Sequence, residues 1–406
     1  MASAPSDTTA GQDYSQSMRI LALISTGHAL SNFYVLCLPA LLPFFREDFK
    51  VSFTYLGVIL TTRAVTTGLL QVPVGFLVDK FGGKKVLIVG LFMLAGSFSA
   101  LAAIPDFFWS IPLMVLFGMG LASMRPCNYT ILNASIHPNW VGRAFGINMF
   151  TAHAARAVAP PMIVSIAVIW DWRIAVLTAG ALGFAVTLAL TTQWRIVRDD
   201  SVQPKKTHDL SFFQEIRHLA SASLLMFFIF FIFNALTTHG VHSFTVAALA
   251  ELRNTPLTVA SGVLTAFLVT GALGVLLGGF IVDKWQNHGA IAIAVLVGSG
   301  TLFVVVGALP MPMVMIIILM SIAGLLQGVL RPARDMLMRA VIPRESFGKA
   351  IGIVATGAAV GGATAPLIFG WILDYGDPSW LFYVLAANLV ILIGCVLVPK
   401  KPISLA

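Results

Sequence analysis

Hydrophobic residues come along this chain in twelve long runs, separated by short polar turns. The runs lie roughly over 18–44, 52–78, 85–104, 109–136, 141–168, 173–193, 219–250, 257–282, 289–309, 311–341, 347–373 and 379–399. An apolar run of about 20 residues is long enough to cross a bilayer as a helix. Helices are the expected spanning form because a helix satisfies its backbone hydrogen bonds internally. A β-barrel would show short segments of alternating polarity instead. The longest stretch without such a run is 194–218, which contains Arg195, Arg198, Lys205, Lys206 and Arg217. It divides the runs into six and six. The pattern therefore predicts an all-α membrane protein with twelve transmembrane helices in two pseudo-symmetric six-helix bundles, over 18–193 and 219–399. Residues 1–17 are expected to form a disordered tail, 194–218 a linker, and 400–406 a second tail.

Composition sharpens this reading. Of 406 residues, 58% are hydrophobic and only 10% charged, and the mean hydropathy is +0.91. A soluble chain of this length could not hide so much apolar surface, so a polytopic membrane protein is expected. The formal net charge is +8. In a soluble protein that excess would suggest nucleic acid, but here the positive-inside bias explains it, and no nucleic-acid partner is expected. Sixteen of the 25 lysines and arginines fall at or beyond the ends of the predicted spans on one side and four on the other, and five lie well inside the spans. That asymmetry places both termini and the linker in the cytoplasm, and the chain in the cytoplasmic (inner) membrane of a cell. Cys37, Cys127 and Cys395 lie scattered in apolar runs, with neither metal spacing nor a disulfide framework. The first 17 residues carry Asp7 and Asp13 and lack a basic run leading to a cleavage site, so no cleaved signal peptide is expected.

The two halves repeat. Arg125-Pro126 recurs as Arg331-Pro332, His28-Ala29-Leu30 as Asn234-Ala235-Leu236, and Ala159-Pro160 as Ala365-Pro366, each 206 residues later. Asp79-Lys80 recurs as Asp283-Lys284 after 204. Parallel halves with a site between them are one known transporter architecture.

The turn after the second run reads Gly75-Phe-Leu-Val-Asp79-Lys80-Phe-Gly82-Gly83-Lys84-Lys85. Its glycines suit a tight turn, and Asp79 is a negative group at a helix end, able to face the positive N-terminus of a neighbouring helix. This stretch closely resembles the loop signature of the Major Facilitator Superfamily, and the resemblance extends over the whole chain. It implies secondary transport by alternating access, with the first, fourth, seventh and tenth helices lining a central cavity. It also implies that Asp79, with Lys80, latches the cytoplasmic side in the outward-open state. The second copy, at Asp283, lacks the later glycines and the basic pair. The stretch GHALSNFY around His28 is similar to the first span of fosmidomycin-resistance-type members, with Asn32 standing where an acid would be expected.

Charges inside the runs carry the candidate chemistry. A guanidinium keeps its proton, and placing it in hydrocarbon costs at least about 2.5–3.5 kcal/mol. Arg125 lies near the middle of the fourth run, and Arg331 well inside the tenth. Water, a carboxylate or an anionic substrate must face each. The planar fork suits a carboxylate or phosphate, so both are candidate substrate-binding residues. The alternative is internal pairing, of Arg331 with Asp335 one turn on, or of Arg125 with helix carbonyls. Tyr34, Asn128, Tyr129, Asn234 and Gln327 are the polar and aromatic neighbours expected to shape the site. Arg334 and Asp335 lie nearer the helix end, where gating or mutual pairing is expected. Arg63 and Arg156 are further intramembrane cations of uncertain facing.

Proton coupling needs a titrating group. Histidine titrates near neutrality and is cheap to bury when neutral. His28 is the leading candidate, ten residues into the first run, with His153, His239 and Asp335 behind it. His242 also lies in the seventh run. A bound anion beside His28 would favour imidazolium, giving symport.

The leading expectation is therefore a secondary active transporter that moves a small organic anion across the membrane by alternating access, coupled to protons. The alternative is a proton-driven antiporter exporting a drug or toxic anion. In the fifth run Ala155 and Ala159 stand where the superfamily's antiporter signature has glycines, with Arg156 inserted between them, which weakens that alternative without excluding it. A third reading is a non-transporting membrane sensor. No nucleotide-binding loop, zinc pattern or nucleophile elbow occurs, so no enzyme activity, cofactor or metal is expected. The protein is expected to act as a monomer in the lipid bilayer.

Overall fold

The computed structural model describes residues 7–136, 140–193, 222–342 and 347–398. The expected linker over 194–218 and the tail over 400–406 lie outside the described residues, as do residues 1–6. Thirteen α-helices account for most of what is described. They are α1 (Asp7–Ala40), α2 (Leu42–Phe49), α3 (Phe53–Phe81), α4 (Gly83–Ala100), α5 (Ser110–Ser135), α6 (Val141–Ile169), α7 (Trp172–Thr192), α8 (Ala222–Arg253), α9 (Leu257–Lys284), α10 (His288–Ala308), α11 (Met313–Val341), α12 (Phe347–Tyr375) and α13 (Trp380–Leu397). Among the described residues, twelve helical stretches are long and apolar enough to cross a membrane. They correspond one for one to the twelve hydrophobic runs.

Two boundaries differ from the sequence reading. Helix α1 starts at Asp7, inside the stretch expected to be a disordered tail. Once an apolar helix has nucleated, each further residue adds a hydrogen bond at little cost, so the polar residues from Asp7 continue it. The first run also divides in two, because α1 ends at Ala40 and α2 begins at Leu42. Pro43 supplies the cause: lacking an N–H, it fits the first turn of a new helix better than the interior of an old one. Lys50, in the left-handed conformation at φ 51°, closes α2.

Polar caps fix other helix starts. The side chain of Asp171 accepts from Arg173 N at 2.6 Å to open α7, and that of Asn287 accepts from Ala290 N at 3.1 Å to open α10. The turn between α3 and α4 depends on Gly82, whose φ of 87° a side chain would resist.

Two compact units emerge. The first combines α1 through Cys37 with α3 from Val65 onward and α4 to α7. Its core centres on Tyr34, Phe98 and Phe117, all fully buried, with ring centroids 4.8 to 6.1 Å apart. The second combines Leu38–Ala64 with α8 to α13. At one end of this second unit, Leu224 and Phe227 of α8 cluster with Met338 and Val341 of α11 and Val354 of α12. Elsewhere in it, α3 and α12 touch backbone to backbone. A Cβ on Gly57 would collide with the carbonyl of Pro366, and one on Gly370 with that of Phe53.

Candidate functional site

In the first unit the polar side chains of α1 and α6 form one buried network. Asn32 donates from Nδ2 to the carbonyl of His28, one turn earlier, at 2.8 Å. Its Oδ1 accepts from Nε of Arg156 at 2.8 Å. Nδ1 of His28 lies 3.3 Å from the carbonyl of Asn148. A carbonyl only accepts, so this contact puts the ring hydrogen on Nδ1 and leaves Nε2 as the nitrogen that takes up a proton. Asn148, fully buried, donates to Ser25 Oγ at 3.3 Å. The guanidiniums of Arg125 and Arg156 both lie within electrostatic reach of the His28 ring.

Arg125 stands ten residues before the end of α5 at Ser135, about 15 Å at 1.5 Å per residue. It is exposed. Lipid cannot be the medium around it, given the cost of a cation in hydrocarbon. One turn on, Asn128 is buried and neither its Oδ1 nor its Nδ2 has a hydrogen-bond partner. Tyr129 is half exposed, its ring 5.0 Å from that of Phe145 on α6. Neither α5, α6 nor α7 contains an acidic residue. The His153 residue of α6 is half-buried.

The second unit holds the repeat partners. Arg331 also stands ten residues from its helix end, at Val341 of α11. It is half-buried. Asp335 does not take Arg331 as its closest cation: its Oδ1 accepts from Nε and Nη2 of Arg334 at 3.0 and 2.8 Å. Arg334 also lies over the ring of Phe231, 4.5 Å from its centroid. The geometry is thus an intrahelical pair, one of the two roles expected for these residues. One turn before Arg331, the half-buried Gln327 has an Nε2 without a hydrogen-bond partner. Asn234 is half-buried on α8. His239 rests its ring on Gly362 of α12, and His242 packs edge-on to Phe267. Arg63, on the part of α3 belonging to this unit, is buried.

One expected site residue is placed elsewhere. Tyr34 has no exposed surface, and its hydroxyl donates to the carbonyl of Ala179 at 2.8 Å. It is a packing residue of the first unit, because its ring finds Phe98 and Phe117 and its one polar atom is satisfied within the fold. Conversely, Arg156, Asn32 and Asn148 belong to the network although the sequence reading left the first of uncertain facing and gave the other two no binding role.

The loop and helix-end acids are exposed. Asp79 and Lys80 lie in the last turn of α3, with Lys80 Nζ 5.3 Å from the Phe81 ring centroid, and Asp283 lies at the end of α9. Asp374, at the end of α12, has a different setting. Its carboxylate accepts from the N–H of Phe53 and of Thr54, both at 2.7 Å, and from the Thr54 hydroxyl at 2.6 Å. It thereby caps the first turn of α3. Nearby Arg46 pairs with Glu251 and lies over the Phe53 ring, 4.3 Å from its centroid. Among the described residues no cluster of three His, Cys, Asp or Glu could hold a metal ion.

Comparison with known proteins agrees with this architecture. A bacterial homologue of the human lysosomal transporter Spinster superimposes with a TM-score of 0.77 at 14% identity, over 94% of this chain and 95% of that one. An Escherichia coli protein named "Probable L-galactonate transporter" is 26% identical over 143 residues, 35% of this chain and 32% of the relative. A Cupriavidus necator protein named "Probable sulfoacetate transporter SauU" is 27% identical over 150 residues, 36% of this chain and 34% of the relative. The matches thus span about a third of the length of each curated relative. The family model of the Major Facilitator Superfamily matches residues 22–311 and 237–405. The chain is a multi-pass integral membrane protein belonging to the Major Facilitator Superfamily of transporters.

Proposed function

We propose that this transporter moves a small organic anion, a carboxylate or similar, by proton-coupled symport through alternating access. Arg125 is the anion-binding residue of the first unit and Arg331 that of the second. Asn128, Tyr129, Asn234 and Gln327 supply polar and aromatic contacts. His28 carries the coupled proton, with His153, His239 and Asp335 as the other titratable groups on the helices. Asp79 and Lys80, with Asp283 and Arg334, act in gating. The chain acts as a monomer, with both termini in the cytoplasm.

One observation carries the reading. Arg125 is an exposed, permanently charged group at mid-helix, and neither its own helix nor α6 or α7 contains a carboxylate. An arginine so placed is stable only against water or an anion, and its fork recognises a carboxylate in two-point fashion. Two relatives named for a sugar acid and a sulfonated acid support the same class of substrate. Symport is favoured over export because a bound anion beside His28 strengthens proton binding there. Anion and proton then travel in the same direction.

The test is uptake into proteoliposomes across a panel of sugar acids and simple carboxylates, with and without an imposed pH gradient. Inward accumulation of an anion driven by external acid is expected. Transport of neutral or cationic compounds alone would sink the anion reading. Accumulation driven in the opposite direction would replace symport by export.

A further inference from the structure

Asn32, Asn128 and Asn148 are the buried asparagines of the first unit, and they differ in their partners. Asn32 and Asn148 both donate, to the His28 carbonyl at 2.8 Å and to Ser25 Oγ at 3.3 Å. Asn128, on α5, is only 3% exposed, and neither its Oδ1 nor its Nδ2 has a hydrogen-bond partner. Both ends of a primary amide are thus withheld from water and left unpaired within the fold. Buried polar groups are almost always paired, because an unpaired one forfeits its hydration without return. Packing does not require an amide here, since leucine has nearly the same size and no polar atom to satisfy.

The position of Asn128 gives the amide a use. It follows Arg125 by three residues, which puts it about 60° around α5 and about 4.5 Å along the axis. Helical side chains lean toward the N-terminus, so the amide lies back toward the turn that carries Arg125. A carboxylate held by the Arg125 fork brings its neighbouring carbons to that amide. A hydroxyl on those carbons has a hydrogen to give and lone pairs to accept with, and the amide has an acceptor and two donors. A methylene satisfies neither. The second unit has a comparable arrangement: Gln327 precedes Arg331 by one turn, and its Nε2 also lacks a partner.

We propose that Asn128 reads a hydroxyl group of the substrate, so that the protein selects hydroxylated acids, such as aldonates and aldarates, over unsubstituted acids of the same length and charge. This rests on the organic-anion reading above and names the substrate class that the same site takes. Arg125 holds the carboxylate whatever the rest of the molecule, and Asn128 supplies the discrimination. A site built to bond a hydroxyl rejects the analogue lacking it far better than an apolar pocket rejects an extra methylene.

The experiment uses the full chain, purified in detergent, with affinities taken from thermal stabilisation at rising ligand concentration. The probes are two pairs matched in carbon number and charge: galactarate with adipate, and galactonate with hexanoate. Wild type is expected to bind the hydroxylated member of each pair about tenfold or more tightly than its partner, the worth of one good hydrogen bond. Asn128→Leu should weaken galactarate and galactonate about tenfold and change adipate and hexanoate less than about twofold. Without ligand, the same variant should unfold at a higher temperature, since apolar surface replaces an unpaired buried amide. Equal binding of both members of each pair by wild type overturns the proposal, and so does an unchanged ratio in Asn128→Leu. A structural role for Asn128 would lower the unfolding temperature and weaken all four acids alike, which overturns it too. If Asn128→Leu does not fold, the wild-type ratio and Asn128→Ala decide in the same way. If wild type binds other anions of the panel but neither galactarate nor galactonate, hydroxyl selection fails and the anion reading survives. If wild type is stabilised by none of these acids nor by any other anion of the panel, both fall.

Discussion

Two half-buried guanidiniums on membrane-crossing helices, Arg156 of α6 and Arg334 of α11, meet the same physical problem with different partners. Arg334 pairs with the adjacent Asp335 through two hydrogen bonds and lies over the Phe231 ring. Its charge is largely compensated within its own helix. Arg156 meets the neutral Asn32 on another helix. We infer a structural role for the Arg334–Asp335 pair. A compensated cation adds rigidity and little attraction for a ligand. Arg125, exposed on a helix that contains no acidic residue, is the cation of the first unit that we propose for anion binding.

The largest expected effect tests the proposed anion-binding arginines. Arg125→Lys should lower anion transport at least tenfold while the protein still folds, and Arg331→Lys should do the same. Lysine keeps the charge and loses the planar fork, so a loss of this size identifies two-point recognition rather than field strength. Transport in proteoliposomes, normalised to folded protein, reads it. If both variants transport at the wild-type rate, Arg125 and Arg331 are not the anion site.

A second variant removes a compensating carboxylate where no ligand is involved. Asp374→Asn takes a negative charge from the first turn of α3, where it accepts three hydrogen bonds. A carboxylate at a helix N-terminus contributes up to about 1–2 kcal/mol, and asparagine retains part of the hydrogen bonding. A fall of about 1 kcal/mol in stability is expected, seen as earlier thermal unfolding, with anion affinity unchanged. A tenfold drop in affinity would make Asp374 part of the binding chemistry.

The sequence shows some of this and hides the rest for physical reasons. Twelve spans were legible because hydrocarbon imposes length and apolarity on every crossing segment. The depths of Arg125 and Arg331 were legible from the Arg-Pro repeat. Facing was not legible. In a soluble helix the polar face marks the exterior, but a membrane helix is apolar on its lipid side too, as exposed Leu69, Phe76 and Phe280 show. Rotation therefore leaves little trace in the pattern. That is why Tyr34 read as a site residue yet fills the core, and why Arg156 read as one of several cations of uncertain facing. The contact between Arg156 and Asn32 spans 124 positions in sequence, and no local spacing signals it. The one hint was Asn32 itself, where an acid was expected.

Removing the compensation at Arg334 probes the other side of the comparison and should have a smaller effect. Fully buried ion pairs lose about 3–5 kcal/mol when one partner is removed. The Asp335 side chain, however, is 51% exposed and that of Arg334 17%, so screening reduces the loss to about 1 kcal/mol or less. Asp335→Asn should fold, lose little stability and change anion affinity less than about twofold. A large fall in affinity would mean that Arg334 and Asp335 bind substrate, and that compensation within the helix does not separate the two kinds of arginine.

The smallest effect concerns coupling, because it alters a slope rather than an amplitude. His28 sits between the two kinds of group: its Nδ1 is engaged with the Asn148 carbonyl, and its Nε2 remains for a proton. A bound anion beside the ring favours imidazolium over neutral imidazole. Proton and anion therefore help each other to bind, and by reciprocity each raises the affinity for the other by the same factor. The sign follows: anion uptake should rise as external pH falls from about 8 to about 6, across the range where histidine titrates. His28→Gln keeps a neutral polar side chain of similar reach and cannot add the proton. It should flatten the pH profile while leaving anion affinity at neutral pH within a few-fold of wild type. An unchanged profile in His28→Gln would move the proton to His153, His239, His242 or Asp335. Only His153 of these lies in the first unit with Arg125 and Arg156, so His153→Gln is the next variant to measure.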